Sequence, residues 1–493
     1  MNVQYNDLRE WLARVEEMGE LKRVSGVRLE EDVGRIAELS ASTDQGPALM
    51  LSGFSGYEQG YSILLNPFGT TRMIAFTFGF PEEKDRLKLL EHFSDRIDKL
   101  QLLPPKYVDG GPLLENVATG SKVDLMKFPV PKWHKDDGGP YIGTGCLVIT
   151  RDPDSGSVNV APYRSQLHDR KSVGFYSLPG HHGRAHRDKF YGRGEPCPVA
   201  MVFGSDPLLF TGGMAELPYG TCEFDWIGGW RGEPLEVIKG PVTGLPIPAR
   251  AEIAIEGFSY PGRAKYEGPF GEFTGYYASG AQDEPFVDVE AVYHRNDPVL
   301  LGMPPMKPPY DADKARQYLQ SAILLQQLRR QGIRGISSAW CFGVGGCRFL
   351  VVVGIDQQYF GHSRQVGHAA YTTTVANIGG KIVIVVDDDI DVSDLNDVMW
   401  AVLTRSDPAT SIDIVPRATS WALDPRLSPE DRAARRFFNS RAIIDATKPY
   451  EWKDQFPKPV RSDIQYRHET ERLFGHLFST EQAERKSLEG EKT

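Results

Sequence analysis

Lys265-Tyr-Glu-Gly-Pro-Phe-Gly-Glu-Phe-Thr-Gly275 sets two carboxylates, Glu267 and Glu272, on either side of a Gly-Pro-aromatic-Gly turn. Gly268, Pro269 and Gly271 argue against a helix, because proline lacks an amide proton and glycine holds helical backbone poorly. A chain that bends here can bring both acids to one point. Two acids that face each other rarely both ionise, so one keeps a proton near neutral pH and becomes a donor. The residues alone leave a second reading open, a glycine-rich hairpin with both acids in solvent, since perturbed acids mark sites only statistically.

Around this stretch the texture is that of a β domain. From about 123 to 299 apolar runs are short, Gly and Pro recur, and helices look scarce. Strands are predicted over 145–150, 200–203, 251–255 and 286–293, closing into a barrel or sandwich. Thr211-Gly-Gly-Met214 reads as a turn at a strand end. The first hundred residues mix helix and strand. Asp7 caps a helix to Gly19 with Leu8, Trp11, Leu12 and Val15 on one stripe, a strand covers 61–65, and a second helix covers 82–103. Beyond the β region, Met303-Pro-Pro-Met-Lys-Pro-Pro309 is a hard break. A helix follows over 311–331, then strands over 349–354 and 382–386 alternating with helices over 363–377 and 395–404, the pattern of an α/β domain. The acidic run Asp387-Asp-Asp389 is read as ending its strand and capping the 395–404 helix, since it lacks EF-hand spacing. A last amphipathic helix over 463–478 precedes a polar tail.

Composition narrows the function classes. The chain has 493 residues, 40% of them hydrophobic and 25% charged, as in ordinary globular proteins. Its net charge of -10 argues against a nucleic-acid footprint. Five cysteines without a CxxC pair exclude a disulfide framework and a thiolate zinc site. No apolar run reaches the roughly 18 residues that span a bilayer, and the N-terminus lacks signal-peptide order, so a cytoplasmic protein is expected. Neither GxGxxG after a strand nor GxxxxGK[ST] occurs.

Two further stretches join the first. Asn159-Val-Ala-Pro-Tyr-Arg164 is followed by His181-His182 and by Cys222-Glu-Phe-Asp-Trp-Ile-Gly-Gly-Trp-Arg-Gly232. With Glu267-Gly-Pro-Phe-Gly-Glu272 this order of elements resembles the UbiD-like family of decarboxylases, from Asp7 to about Asp445. The resemblance implies an α/β (α+β) fold: a flavin domain with a split β-barrel core, a connecting helix and a C-terminal α/β domain that builds the oligomer. The corresponding division is 1–120, 121–302, 303–331, 332–445 and a C-terminal segment 446–493. It implies prenylated FMN, a divalent metal, usually manganese, and potassium. A flavin prenyltransferase would supply the cofactor, a small carboxylic acid would be the substrate, and a homodimer or a multiple of one the assembly.

Site residues follow from the same resemblance. Asn159, His182 and Glu223 fall at the metal ligands, an oxygen and nitrogen set that suits manganese. Spacing alone does not select this trio, and without the family His182 reads as a surface histidine in a glycine-rich loop. His181 and Glu216 are close rivals for those places. Ala161, Pro162, Tyr163, Arg164, His181, Gly213 and Met214 fall at the flavin, although the family more often has small hydroxyl residues where Gly212 and Gly213 stand. Arg441 falls where relatives often carry a lysine near the flavin phosphate. Arg164 falls between the two acids, and a guanidinium there lowers the pKa of the acid it grips more tightly, leaving the other freer to hold a proton. The implied activity is reversible, non-oxidative decarboxylation of an aromatic, heteroaromatic or α,β-unsaturated acid, with Glu272 as proton donor beside Arg164 and Glu267. Rival readings are a flavin oxidoreductase on a split barrel and a subunit of a larger carboxylase inactive alone.

Overall fold

A computed structural model describes residues 3–460 and 464–477. It forms one compact unit over Met1–Thr447 and a second over Lys448–Thr493. The larger unit is a mixed α/β assembly around a curled half-barrel sheet. Leu8–Glu17 is the first helix; the Asp7 side chain accepts from Glu10 N–H, and Leu8, Trp11, Leu12 and Val15 are buried. The second predicted helix is shorter than its apolar pattern and runs Arg86–Lys99, because Asp85 caps it through the amides of Leu87 and Lys88.

Leu21–Ser25, Ala48–Ser52, Ser62–Leu65 and Val299–Leu301 form a small sheet, so the chain returns to its N-terminal part after the β region. The main sheet runs Tyr141–Gly143, Ser165–Asp169, Ser172–Gly174, Phe286–His294, Ile253–Ser259, Cys197–Phe203, Cys146–Arg151, Val158–Ala161, with Asn116–Thr119 beside Phe286–His294. Strands Lys106–Tyr107 and Asn116–Thr119 precede residue 120 yet pair into the β region. These strands carry nearly continuous buried residues, such as Cys197–Phe203 and Ile253–Ser259, as expected for a sheet covered on both faces.

Helices are not scarce in this region. His182–Gly192, Pro207–Gly212 and Glu223–Arg231 are helical. Thr211-Gly-Gly-Met214 therefore ends a helix rather than a strand. Asp206 accepts from Leu209 N–H and Pro207 occupies the first turn, a start signal the sequence reading passed over.

Helix Asp311–Arg330 joins the two cores. Tyr318, Leu319 and Ala322 enter the large core, while Leu324, Leu325 and Leu328 enter a second one with Val351, Val353, Val385 and Ile443. The C-terminal sheet has the order Ile336–Cys341, Leu350–Ile355, Ile382–Asp387, Phe438–Ala446, Ile412–Thr419. Its central strands pair in parallel. Helix His362–Tyr371 stops short of residue 377. Asp394, not the acidic run, caps helix Leu395–Arg405; Asp387 and Asp389 instead grip Arg405 from that helix. The terminal helix is described as Ile464–Phe474; both predicted ends, 463 and 478, lie outside the described residues.

Candidate active site

Glu267 ends strand Lys265–Glu267, which pairs with Gln282–Glu284 as a hairpin. The chain then turns through Gly268 at φ 92°, backbone that favours glycine, where an added Cβ would lie 2.6 Å from the Gly280 carbonyl oxygen. Gln166 accepts from Gly268 N–H at 3.0 Å, and Asp137 from Gly271 N–H at 3.1 Å. The turn is thereby fixed from both sides. Phe270 is buried, and Glu272 returns to the same interior as Glu267.

Arg164 lies between strands Val158–Ala161 and Ser165–Asp169 and reaches both acids. Its Nε and Nη2 donate to the two oxygens of Glu267 at 3.0 and 2.7 Å. Its Nη1 donates to Glu272 Oε1 and to Ser279 Oγ. The side chains of Arg164, Glu267 and Glu272 are 7%, 1% and 8% exposed, so the group is a buried one. Tyr141 adds a third donor to Glu267, its hydroxyl 2.9 Å from Oε1. The Tyr176 ring lies 3.6 Å from the guanidinium carbon and seats it from one side.

The two acids are held unequally. Glu267 has a bidentate arginine and a phenol. Glu272 has one arginine nitrogen and the Ser279 hydroxyl, which donates at 3.2 Å. Burial raises the pKa of Glu272, and the Arg164 charge offsets only part of that rise. Burial alone would pull the Arg164 guanidinium down, but the charges of Glu272 and Glu267 outweigh it and raise it. The arrangement supplies a fixed cation, an acid held by three donors and an acid able to carry a proton.

Tyr141, Tyr176 and Ser279 were missed in the sequence. They stand outside every motif and reach the network only through the sheet.

Two of the metal-type residues, Asn159 and Glu223, lie close to another phenol. The Tyr163 hydroxyl accepts from Gly183 N–H at 3.1 Å and from Asn159 Nδ2 at 3.4 Å. Glu223 opens helix Glu223–Arg231 and accepts from Val160 N–H at 2.7 Å, beside Asn159. His182 does not lie in a loop; it opens helix His182–Gly192. Asn159 and Glu223 are buried, and Glu223 is pushed up to about 7 by desolvation, the Val160 amide compensating only in part. A carboxylate in that state gains from a nearby cation. Burial also lowers His182, favouring the neutral imidazole a metal needs. The donor chemistry therefore fits a divalent ion. Among the described residues no three His, Cys, Asp or Glu side chains converge as a metal set.

His181 stacks on Tyr163 with ring centroids 5.5 Å apart. It opens onto solvent, yet protein packed around it, and secondarily the Arg348 charge, hold it down to about 4. Tyr163 is buried and Ala161 and Pro162 are partly exposed, as this turn leads from Asn159 to Arg164. Gly213 and Met214 are buried at the end of helix Pro207–Gly212. There the Thr211 and Gly212 carbonyls accept from the Met214 and Ala215 amides.

Two of the named residues are engaged by other groups. Glu216 is paired with Arg316 and Arg348. Arg441 is buried in strand Phe438–Ala446 and donates to the carbonyls of Asn377 and Thr419. Among the described residues no contact ties it to Asn159 or Glu223. A cavity of about 250 Å³ beside Asn6, Asp206 and Arg231 shares no residue with either group.

Comparison with known proteins decides the family. Residues 106–308 match the UbiD 3-octaprenyl-4-hydroxybenzoate carboxy-lyase Rift-related domain, 12–96 the N-terminal domain and 316–446 the C-terminal domain of that enzyme type. The chain belongs to the UbiD family. It is a carboxy-lyase by that membership. It is 31% identical over 477 residues to the phenolic acid decarboxylase of Bacillus subtilis (strain 168), covering 94% of this chain and 97% of that protein. Among solved structures, Sedimentibacter hydroxybenzoicus vanillic acid decarboxylase in open form superposes with a TM-score of 0.83 at 28% identity, covering 96% of this chain and 99% of the other. The UbiD-class enzyme HmfF from Pelotomaculum thermopropionicum, in complex with FMN, gives 0.81 at 30% identity, covering 93% and 98%. The half-barrel and the C-terminal α/β part thus follow the plan of UbiD-class enzymes.

Proposed function

We propose that this chain is a prenylated-FMN-dependent, reversible, non-oxidative decarboxylase of an aromatic, heteroaromatic or α,β-unsaturated carboxylic acid. The observation that carries the reading is the buried Arg164–Glu267–Glu272 network with its unequal grip on the two acids, in a member of a carboxy-lyase family. An FMN complex of one UbiD-class relative, and a prenylated-FMN complex of its evolved dimeric form, support the cofactor.

Loss of CO2 from an sp2 carbon leaves electron density that needs a sink, which the modified flavin supplies when bound. The chain's share is positioning and proton delivery. Arg164 holds the two acids in register. Glu267, gripped by Arg164 and Tyr141, fixes the guanidinium. Glu272 keeps its proton through burial and gives it to the carbon that has lost CO2; in reverse it removes that proton. Asn159, His182 and Glu223 would hold a manganese-type ion at the flavin phosphate. The expected assembly is a homodimer or a multiple of one; Tyr466, Leu473, Phe474 and Leu477 are exposed apolar side chains of the terminal segment that a partner could cover.

Expression with a flavin prenyltransferase should yield chain whose bound flavin has the prenylated mass and which releases CO2 from aromatic acids. Chain expressed without one should carry plain FMN or none and be inactive. Full turnover by a preparation containing unmodified FMN alone rejects the reading.

Glu223→Ala should lose most bound manganese and retain flavin poorly. Metal content by elemental analysis, with flavin read from its absorbance, checks this. Full manganese content in the variant removes Glu223 from the ligand set.

A further inference from the structure

Glu216 stands at φ 53°, a left-handed conformation that residues other than glycine seldom adopt. From there its carboxylate meets Arg316 Nη2 at 2.9 Å and also pairs with Arg348. The two guanidiniums come from different elements, helix Asp311–Arg330 and the turn before strand Leu350–Ile355. Their side chains are 12% and 4% exposed, whereas that of Glu216 is 43% exposed. Two buried cations thus rest on one half-exposed loop carboxylate. Nε of each arginine is buried without a hydrogen-bond partner among the described residues.

The pair borders both halves of the candidate active site. The Arg348 guanidinium lies 5.1 Å from the Trp421 ring centroid, and Trp421 stands edge-on to Phe273 at 5.4 Å, next in sequence to Glu272. On the other side, the loop that carries Glu216 leads to Tyr219, whose ring stands edge-on to His182 at 4.9 Å.

Guanidinium groups held side by side, with donors to spare, match the oxygens of a phosphate or carboxylate. We propose that Arg316 and Arg348 form a binding site for an oxyacid group of a bound ligand, and that the Glu216 carboxylate occupies this site in the ligand-free chain and is displaced when the ligand enters. The inference rests on the proposed flavin-dependent reading. The oxyacid has two sources in that reading: the phosphate of the flavin, or a second acidic group on the substrate.

The test uses full-length, flavin-free chain and its E216Q, R316Q and R348Q variants. FMN and riboflavin are titrated by flavin fluorescence, and terephthalate and benzoate by calorimetry. E216Q removes the competing charge and should tighten the oxyacid ligand about tenfold, while R316Q and R348Q should weaken it by as much or more. Changes for FMN without changes for riboflavin assign the site to the phosphate. Changes for terephthalate without changes for benzoate assign it to a second carboxylate. A plain structural ion pair predicts the opposite sign for E216Q: a lower melting temperature and no gain in affinity for any ligand, which overturns the proposal. If R348Q does not fold, E216Q and R316Q decide. A parent chain that binds terephthalate but neither flavin rejects the flavin reading and leaves the anion site to the diacid arm; a parent that binds none of the four rejects both.

Discussion

Glu272→Gln should bind flavin and metal as the parent does and lose turnover by roughly 100-fold or more, the usual contribution of a general acid or base. The amide keeps the shape of the side chain and can still accept from Arg164 Nη1 and Ser279 Oγ, so the fold has little reason to change. What it cannot do is carry a proton. Microscopic reversibility gives a second readout that does not depend on CO2 release. If Glu272 protonates the carbon, it also removes that proton from the product, and holoenzyme should exchange hydrogen for deuterium there, as NMR would follow. The variant should lose exchange and turnover together. Glu267→Gln should impair turnover differently, because Glu267 takes two nitrogens of Arg164 and the Tyr141 hydroxyl and so sets where the guanidinium points. Exchange near the parent rate in Glu272→Gln, with exchange lost in Glu267→Gln, reverses the two roles. Normal exchange in both makes the pair structural.

The turn that brings the acids together was readable because glycine and proline act locally. Gly268 and Pro269 exclude a helix whatever surrounds them, and the helix stripe Leu8, Trp11, Leu12, Val15 needs only its own periodicity. The two helices that open on His182 and Glu223 were not readable. The first buries Gly183, His186 and Arg187, so it has no apolar stripe to find. The second carries Gly228 and Gly229 in its interior, where propensity argues against a helix. Their reason lies across the fold: a Cβ at those positions would come within 2.3 Å of Leu103 O and 2.1 Å of Gln101 O. Close packing of two segments more than a hundred residues apart leaves no local trace. The same holds for the site. Glu267 and Glu272 announce themselves as a pair on one turn, and Arg164 through the family pattern. Tyr141, Tyr176 and Ser279 reach them only because the half-barrel curls, and the two arginines that hold Glu216 come from elements far along the chain.

Arg164→Met tests the electrostatics of the network apart from its chemistry. Methionine fills similar space without charge, leaving two carboxyls buried with no cation between them. Breaking a buried pair in this way costs about 3–5 kcal/mol at neutral pH, because the remaining charges are stranded. The cost should depend on pH with a definite sign. Without the guanidinium nothing offsets the burial that raises Glu272, so its folded-state pKa stands further above the unfolded carboxylate value of about 4.3. Between those values the folded variant holds protons that the unfolded chain has released. Its stability therefore falls as pH rises through that window and recovers as pH drops towards about 4.3. Glu272 in the parent is already raised by burial, so the parent should show the same sign with a smaller slope. Denaturant unfolding at pH about 7.5 and about 5.5 should show the gap between parent and variant narrowing in acid, while decarboxylation is lost at both. A gap that stays constant with pH would mean that Glu272 escapes to solvent once the arginine is gone, and that burial does not hold a proton on it.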